Sequence, residues 1–343
     1  MKFLRTRLQT LEYALPEESL SSEQIEEQLE PTYKRLRLPN GRLELMTGIK
    51  ERRLWPKGTL PSDASALAGK KVLESSGANA DDIDLMIHCA VSRDFLEPAT
   101  ASVVHKKIGL GSHTQVMDIS NACLGFLNSM VVAAGMIDGG IIKRALILAG
   151  ENGRPLVERT LAMLADPTMT RKSIKPLIAS LTIGCGAVGA LMCHEDIHDG
   201  PKLLGGAVGA ATQYSDLCEG DSASGNSLEM NTNSEELLVQ GVNLAKNTFG
   251  KFKHNLAWQA DTPEQYITHQ VGQAHRRELF SALDLDLKKD HSTFESLGNI
   301  GSVSLPLTLA KAREHKRIQS GDKVALLGIG SGINCMMLGM EWT

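Results

Sequence analysis

Short unbroken apolar runs alternate along this chain with longer segments of mixed apolar and polar character. Residues 85–91 (LMIHCAV), 115–119 (QVMDI) and 144–150 (RALILAG) predict buried strands. Residues 183–193 and 203–210 predict two more, rich in glycine and paired with each other. Residues 266–271, 324–329 and 335–340 repeat the type late in the chain. Helical segments lie between them, at 62–76, 99–108, 124–139, 234–254, 273–283 and 305–315. Alternation of this kind predicts a largely parallel sheet covered by helices on both faces.

A weak internal echo accompanies the pattern. A helix followed by DDIDLMIHCAV in the first half resembles a helix followed by TPEQYITHQV in the second, and each leads into a helix, a strand and a further helix. This predicts two similar α/β halves, residues 1–200 and 201–343. Residues 151–175 break the alternation and read as a lid or a dimer-contact insertion. Residues 213–233, polar and rich in glycine and serine, read as a surface loop.

Composition narrows the classes. Aromatic residues are only 4% while glycines number 32, so the core must be built from small and aliphatic side chains with close backbone approaches. Net charge is −4 and no basic stripe stands out, which argues against a nucleic-acid partner. The opening MKFLRTRLQTLEYALPEESL lacks the apolar core of a secretion signal, and no run approaches a membrane span, so a cytoplasmic protein is expected. The six cysteines form no CxxC pair, which argues against a zinc ribbon and predicts free thiols.

One cysteine has a distinctive setting. MDISNACLGFLNSMVVAAGMI places Cys123 between a strand and a helix, where the partial positive charge of a helix N-terminus favours thiolate. His269, at the end of YITHQ, and Asn299, in the loop SLGNIGSVSLP, would both lie at strand ends on the edge where ligands collect. An imidazole N–H and a carboxamide N–H together can hold a thioester enolate oxygen. Spacing alone leaves His105 and His275 in competition with His269.

DISNACLGF resembles the nucleophile motif of the ketoacyl-synthase III branch of the thiolase superfamily. TGIKER (residues 47–52), IGCGAVGALM (183–192), HQVGQ, GNIGSVSLP and the terminal GIGSGINC follow in that family's order, so the resemblance spans nearly the whole chain. It implies the five-layered αβαβα thiolase fold in two similar halves, and a homodimer. It implies that Cys123 carries an acyl group as a thioester, and that His269 and Asn299 form the oxyanion hole for the second substrate. The backbone N–H groups of Cys123 and Ser331 would hold the acyl-thioester carbonyl, although the family usually has glycine where Ser331 stands.

Within the branch, the tract SRDFLEPATASVVHKKIGL resembles that of OleA-type enzymes, which condense two acyl-CoAs head to head. There it supplies a catalytic glutamate to the partner subunit, which implies that Glu97 is the general base removing an α-proton. The other reading places Glu97 at a helix N-terminus behind Pro98, as a simple capping charge. Ketoacyl-ACP synthases III instead decarboxylate malonyl-ACP, and they hold the CoA adenine with a Trp and an Arg where this chain has Arg42 and Met46. Arg52 and Arg53 are candidate phosphate contacts. The substrates implied are long-chain acyl-CoA thioesters, or an acyl carrier protein in the decarboxylating alternative, with no metal or redox cofactor. A hydroxymethylglutaryl-CoA synthase-like enzyme and a non-catalytic thiolase-fold partner are further readings; the intact Cys123, His269 and Asn299 set argues against the second. A degradative thiolase would carry a second cysteine in a CxG motif, which the setting of Cys335 lacks.

Overall fold

The computed structural model describes residues 1–220 and 229–343. Nine strands build the main sheet structure: β1 (Thr6–Ala14), β2 (Leu85–His88), β3 (Gln115–Asp118), β4 (Arg144–Asn152), β5 (Cys185–His194), β6 (Lys202–Ala210), β7 (Gln265–Thr268), β8 (Lys323–Gly330) and β9 (Asn334–Glu341). Six helices pack on it: α1 (Pro61–Ser76), α2 (Thr100–Ile108), α3 (Gly125–Asp138), α4 (Ser234–Leu256), α5 (Gln273–Leu283) and α6 (Ser304–Glu314). The predicted helices and eight of these strands fall where the apolar pattern placed them, within a few residues at the ends.

The hydrogen-bonded order is β7-β8-β9-β6-β1-β5-β4-β2-β3. Pairing is parallel only for β2–β3, β2–β4 and β7–β8, so the expectation of a largely parallel sheet is corrected to a mixed one. The glycine-rich strands β5 and β6 do not pair with each other. Both flank β1, a central strand that the hydrophobic pattern did not disclose. Two of β1's buried positions are threonines, a good strand former that carries no apolar signal. Thr6 Oγ1 donates to Asp138 at 2.7 Å, and Thr10 Oγ1 lies 3.1 Å from Ser75 Oγ.

The internal echo is real. The set β3-β2-β4-β5-β1 is matched by β7-β8-β9-β6, with the place of β3 in the second half reduced to one parallel bridge, Tyr266↔Asp290. Strand faces show how the halves stack. Ala145, Ile147 and Ala149 of β4 join a central core with Val324 and Leu326 of β8 and with α3 and α6. Leu146 and Leu148 point the other way, to α1 and α2; Ala325 and Leu327 point to α4 and α5. The period of two thus gives five layers, α1/α2, sheet, α3/α6, sheet, α4/α5, as the thiolase fold requires. Enclosure between two sheets explains why α3 (GFLNSMVVAAGMID) is apolar almost all round.

Residues 151–175 are helical over Arg154–Leu164 and Arg171–Ile174. With the N-terminal helices they bury Ile25, Leu29, Tyr33, Leu43, Leu164 and Leu177 in a separate cap. In the region read as a surface loop, Cys218–Gly220 pairs with Met230–Thr232, and residues 221–228 lie outside the described residues. No described helix is long and apolar enough to cross a membrane.

Phe126 is 1% exposed in the middle layer, packed from both sheets. Phe126→Ala should cost about 3–5 kcal/mol through lost burial and a retained cavity. Urea unfolding is the measurement; a loss below about 1 kcal/mol would show that the middle layer is not close-packed.

Candidate active site

Cys123 lies in a tight turn between β3 and α3. The Leu124 N–H donates to the Asn121 carbonyl at 2.9 Å, and the Gly125 N–H to the Ala122 carbonyl at 3.3 Å. Ala122 has φ of 45°, a left-handed conformation that a non-glycine residue holds only when its surroundings enforce it. The end of β8 supplies part of that enforcement. A Cβ at Gly330 would lie 3.5 Å from the Cys123 nitrogen, and one at Gly328 only 2.5 Å from a Leu124 methyl, so β8 packs closely beneath the turn. A run of side-chain amides completes the brace: Asn334 Nδ2 donates to Asn121 Oδ1 at 3.1 Å, and Asn121 Nδ2 to Asn128 Oδ1 at 2.9 Å. Asn334 Nδ2 also lies 3.4 Å from the Ser331 carbonyl, which ties the nucleophile turn to the segment carrying Ser331.

Burial pushes the Cys123 thiol up to about 12, and the nearby Glu151 carboxylate pushes it the same way. In the single chain this opposes the helix N-terminus, which favours thiolate. The helix begins two residues further on, at Gly125, and lost hydration beside a carboxylate outweighs its partial charge.

His269 continues β7, and its N–H donates to the Leu327 carbonyl of β8 at 3.0 Å. The side chain is buried, and that burial, with His275 nearby, brings the imidazole down to about 3, so it is neutral near pH 7. Nδ1 is buried with no hydrogen-bond partner among the described residues, which favours the proton on Nε2. His275, on the first turn of α5, is likewise brought down to about 4 by burial. His105 is removed from competition: its Nε2 lies 3.0 Å from the Gly111 carbonyl, at the C-terminal end of α2.

Asn299 is bound to the chain entering β5. Its N–H donates to the Thr182 carbonyl at 2.9 Å, and its carbonyl accepts from the Gly184 N–H at 2.8 Å. The Gly301 N–H occupies Oδ1 at 3.0 Å, which leaves Nδ2 as the donor end of the carboxamide. Gln270, next to His269, accepts from the Thr293 N–H at 3.1 Å and so fixes the loop leading to Asn299. Cys123 and His269 are thus both placed against the C-terminal part of β8, and Asn299 against the N-terminus of β5, beside the C-terminus of β4. All three lie at one end of the layers, ahead of the two central helices α3 and α6.

Glu97 is exposed in the single chain, directly after Phe95 (51% exposed) and Leu96 (87%). It is not a helix cap. Helix α2 begins at Thr100 rather than at Pro98, and the Asp118 carboxylate already accepts the Thr100 and Ala101 N–H groups at 2.8 and 2.7 Å. Arg52 is not a phosphate contact either. It is fully buried, donating to the Leu20 carbonyl (3.0 Å) and to Ser22 Oγ (3.1 Å), and burial lowers it to about 10. Arg53 donates to the Glu17 carbonyl at 2.9 Å and lies 3.5 Å from Glu51.

Sequence reasoning missed Glu151 and the three asparagines. Glu151 is 4% exposed at the end of β4. Its carboxylate accepts from the Val91 N–H (2.9 Å), the Ser92 N–H (3.0 Å), the Ser302 N–H (3.1 Å) and Ser302 Oγ (2.8 Å). A carboxylate directly after the apolar run RALILAG was the available signal.

Two family models, described as 3-oxoacyl-[acyl-carrier-protein] synthase III and as the C-terminal part of that enzyme, match residues 117–165 and 254–342 respectively. The chain is 38% identical to an acyl-CoA:acyl-CoA alkyltransferase of Xanthomonas campestris, over 94% of this chain and 95% of that one. It is also 38% identical to one of Shewanella oneidensis, over 100% of both. A β-ketoacyl-[acyl-carrier-protein] synthase III of Aliarcobacter butzleri is 29% identical over 84% of this chain and 85% of its own. Among solved structures, cerulenin-bound OleA of X. campestris superposes with a TM-score of 0.96 at 36% identity, covering 100% of this chain and 98% of that one.

These two lowered histidines set an acid limit. An imidazole near 6.5 when unfolded but near 3 or 4 when folded binds protons preferentially in the unfolded chain, so stability falls as pH drops below about 6.5. The thermal midpoint should fall between pH 6.5 and 4, and His275→Gln should reduce that slope; equal slopes would mean that His275 is protonated in the fold.

Proposed function

Because the chain belongs to the OleA family of acyl-CoA:acyl-CoA alkyltransferases, we propose that it joins two long-chain acyl-CoAs by a non-decarboxylative Claisen condensation. The chain is an acyltransferase of the thiolase superfamily, and the reading assigns its steps. The observation that supports it is the placement of a braced cysteine turn, a neutral imidazole and an oriented carboxamide at neighbouring strand ends on one side of the layers.

In the first half-reaction the Cys123 sulfur attacks the acyl-CoA carbonyl, and the thiol proton ends on the departing CoA sulfur. The backbone N–H groups of Cys123 and Ser331 face the developing oxyanion. A second acyl-CoA then binds with its carbonyl oxygen between His269 Nε2–H and Asn299 Nδ2–H. Glu97 of the partner subunit removes its α-proton. The resulting enolate attacks the Cys123 thioester, the carbon–sulfur bond breaks, and the proton returns to Cys123. The product is a 2-alkyl-3-ketoacyl-CoA. A neutral His269 suits a donor role, since a cation there would need charge compensation in a buried site. The exposed Phe95 and Leu96 around Glu97 fit burial of this tract against a second copy. Six free thiols fit a reducing, cytoplasmic setting.

The family models leave one other reading, decarboxylative condensation with malonyl-ACP. Incubation with a long-chain acyl-CoA alone separates the two. A condensed product and an acyl adduct on Cys123, both absent in Cys123→Ala, are expected; a requirement for malonyl-ACP with release of CO₂ would establish the other chemistry.

Subunit exchange tests the placement of Glu97. Cys123→Ala and Glu97→Gln should each be inactive alone, and a randomised mixture should regain about one quarter of wild-type activity, because each heterodimer restores one site. No recovery in demonstrated heterodimers would place Glu97 in its own subunit's site or in none.

A further inference from the structure

Glu151 is a buried carboxylate faced by four donors drawn from two loops. Val91 and Ser92 open the tract that leads from β2 to Glu97. Ser302 lies three residues after Asn299, where Gly301 at φ 52° has no room for a side chain: a Cβ there would be 2.7 Å from Glu151 Oε1. The donors are backbone N–H groups and one hydroxyl, the pattern that an ionised carboxylate satisfies and an amide does not. Its own backbone carbonyl is held as well, by Trp55 Nε1–H at 3.1 Å. A buried charge that only bridges two loops is a costly way to stabilise a fold, since an apolar contact of the same shape does as well.

We propose that Glu151 is the positioning residue of the condensation step, its carboxylate setting the Asn299 loop and the root of the Glu97 tract in one register. The proposal rests on the condensing-enzyme reading and deepens it. Under that reading the Glu97 tract serves the neighbouring subunit while Asn299 serves its own, so each Glu151 fixes one element of each of two sites. Acylation of Cys123 uses neither Asn299 nor Glu97, so loss of Glu151 must separate the half-reactions. The Glu151 carboxylate also pushes the Cys123 thiol up, behind the larger effect of burial, which gives its charge a readout of its own.

Three measurements on Glu151→Gln in the full-length protein test this. Single-turnover mass spectrometry should show acylation of Cys123 within about threefold of wild type, while condensation of the acyl-enzyme falls on the order of a hundredfold. The pH profile of Cys123 alkylation by iodoacetamide should move to lower pH in the variant, a change that a general loosening of the fold does not produce. Ser302→Ala, which removes one donor and keeps the charge, should slow condensation about tenfold and leave the alkylation profile in place. If Glu151→Gln does not fold, Ser302→Ala alone decides through the same ratio of half-reactions. Equal losses in both half-reactions, or no loss in either, would overturn the assignment, as would an unmoved alkylation profile in a folded Glu151→Gln. A wild-type protein that takes up no acyl group would instead sink the condensing-enzyme reading itself.

Discussion

The structure depends on two sheets that bury both faces, with two helices held between them. Strands apolar at every position cannot sit at a surface, so helices must cover them outside and inside alike. The inner pair, α3 and α6, is then buried over most of its surface, and its entry points fall at one end of the layers. Cys123 stands ahead of the first and Asn299 ahead of the second. Bringing these groups together therefore requires no special loop; it follows from duplicating one half and stacking the copies core to core.

Chemistry at that junction is governed by dehydration. Burial keeps His269 neutral, which makes it a hydrogen-bond donor rather than a proton reservoir, and it pushes the Cys123 thiol up as well. Two carboxylates differ sharply in their surroundings, the enclosed Glu151 and the exposed Glu97. One is fixed by four donors, whereas the other stands at the surface of the single chain.

Most of the fold was legible because its signals are those of burial. The runs LMIHCAV, RALILAG and VALLGI are continuous because helices cover both faces, and the reading of the site rested on where such runs end. What escaped was polar on the page. Strand β1 turns Thr6 and Thr10 inward and satisfies them by hydrogen bonds, so it shows no alternation of apolar with polar. Strand direction and partnership were also out of reach: a glycine-rich strand reads the same whether its neighbour is β6 or β1. Cys123, His269 and Asn299 were singled out through motif context, while Glu151, Asn121 and Asn334 were passed over because isolated polar residues in sequence do not reveal that they are enclosed. Arg52 erred in the opposite sense, a charge assumed to face water that is wholly buried.

The central place of β1 has a cost during synthesis. Both of its neighbours, β5 and β6, lie some 170 or more residues downstream, so at about 5–20 residues per second the nascent strand waits roughly 10–40 s with neither edge paired. An unpaired strand of that length is an aggregation template. Arg7, Gln9 and Glu12, interleaved along TRLQTLEYA, are the kind of polar interruption that keeps such a strand soluble until its partners emerge from the ribosome.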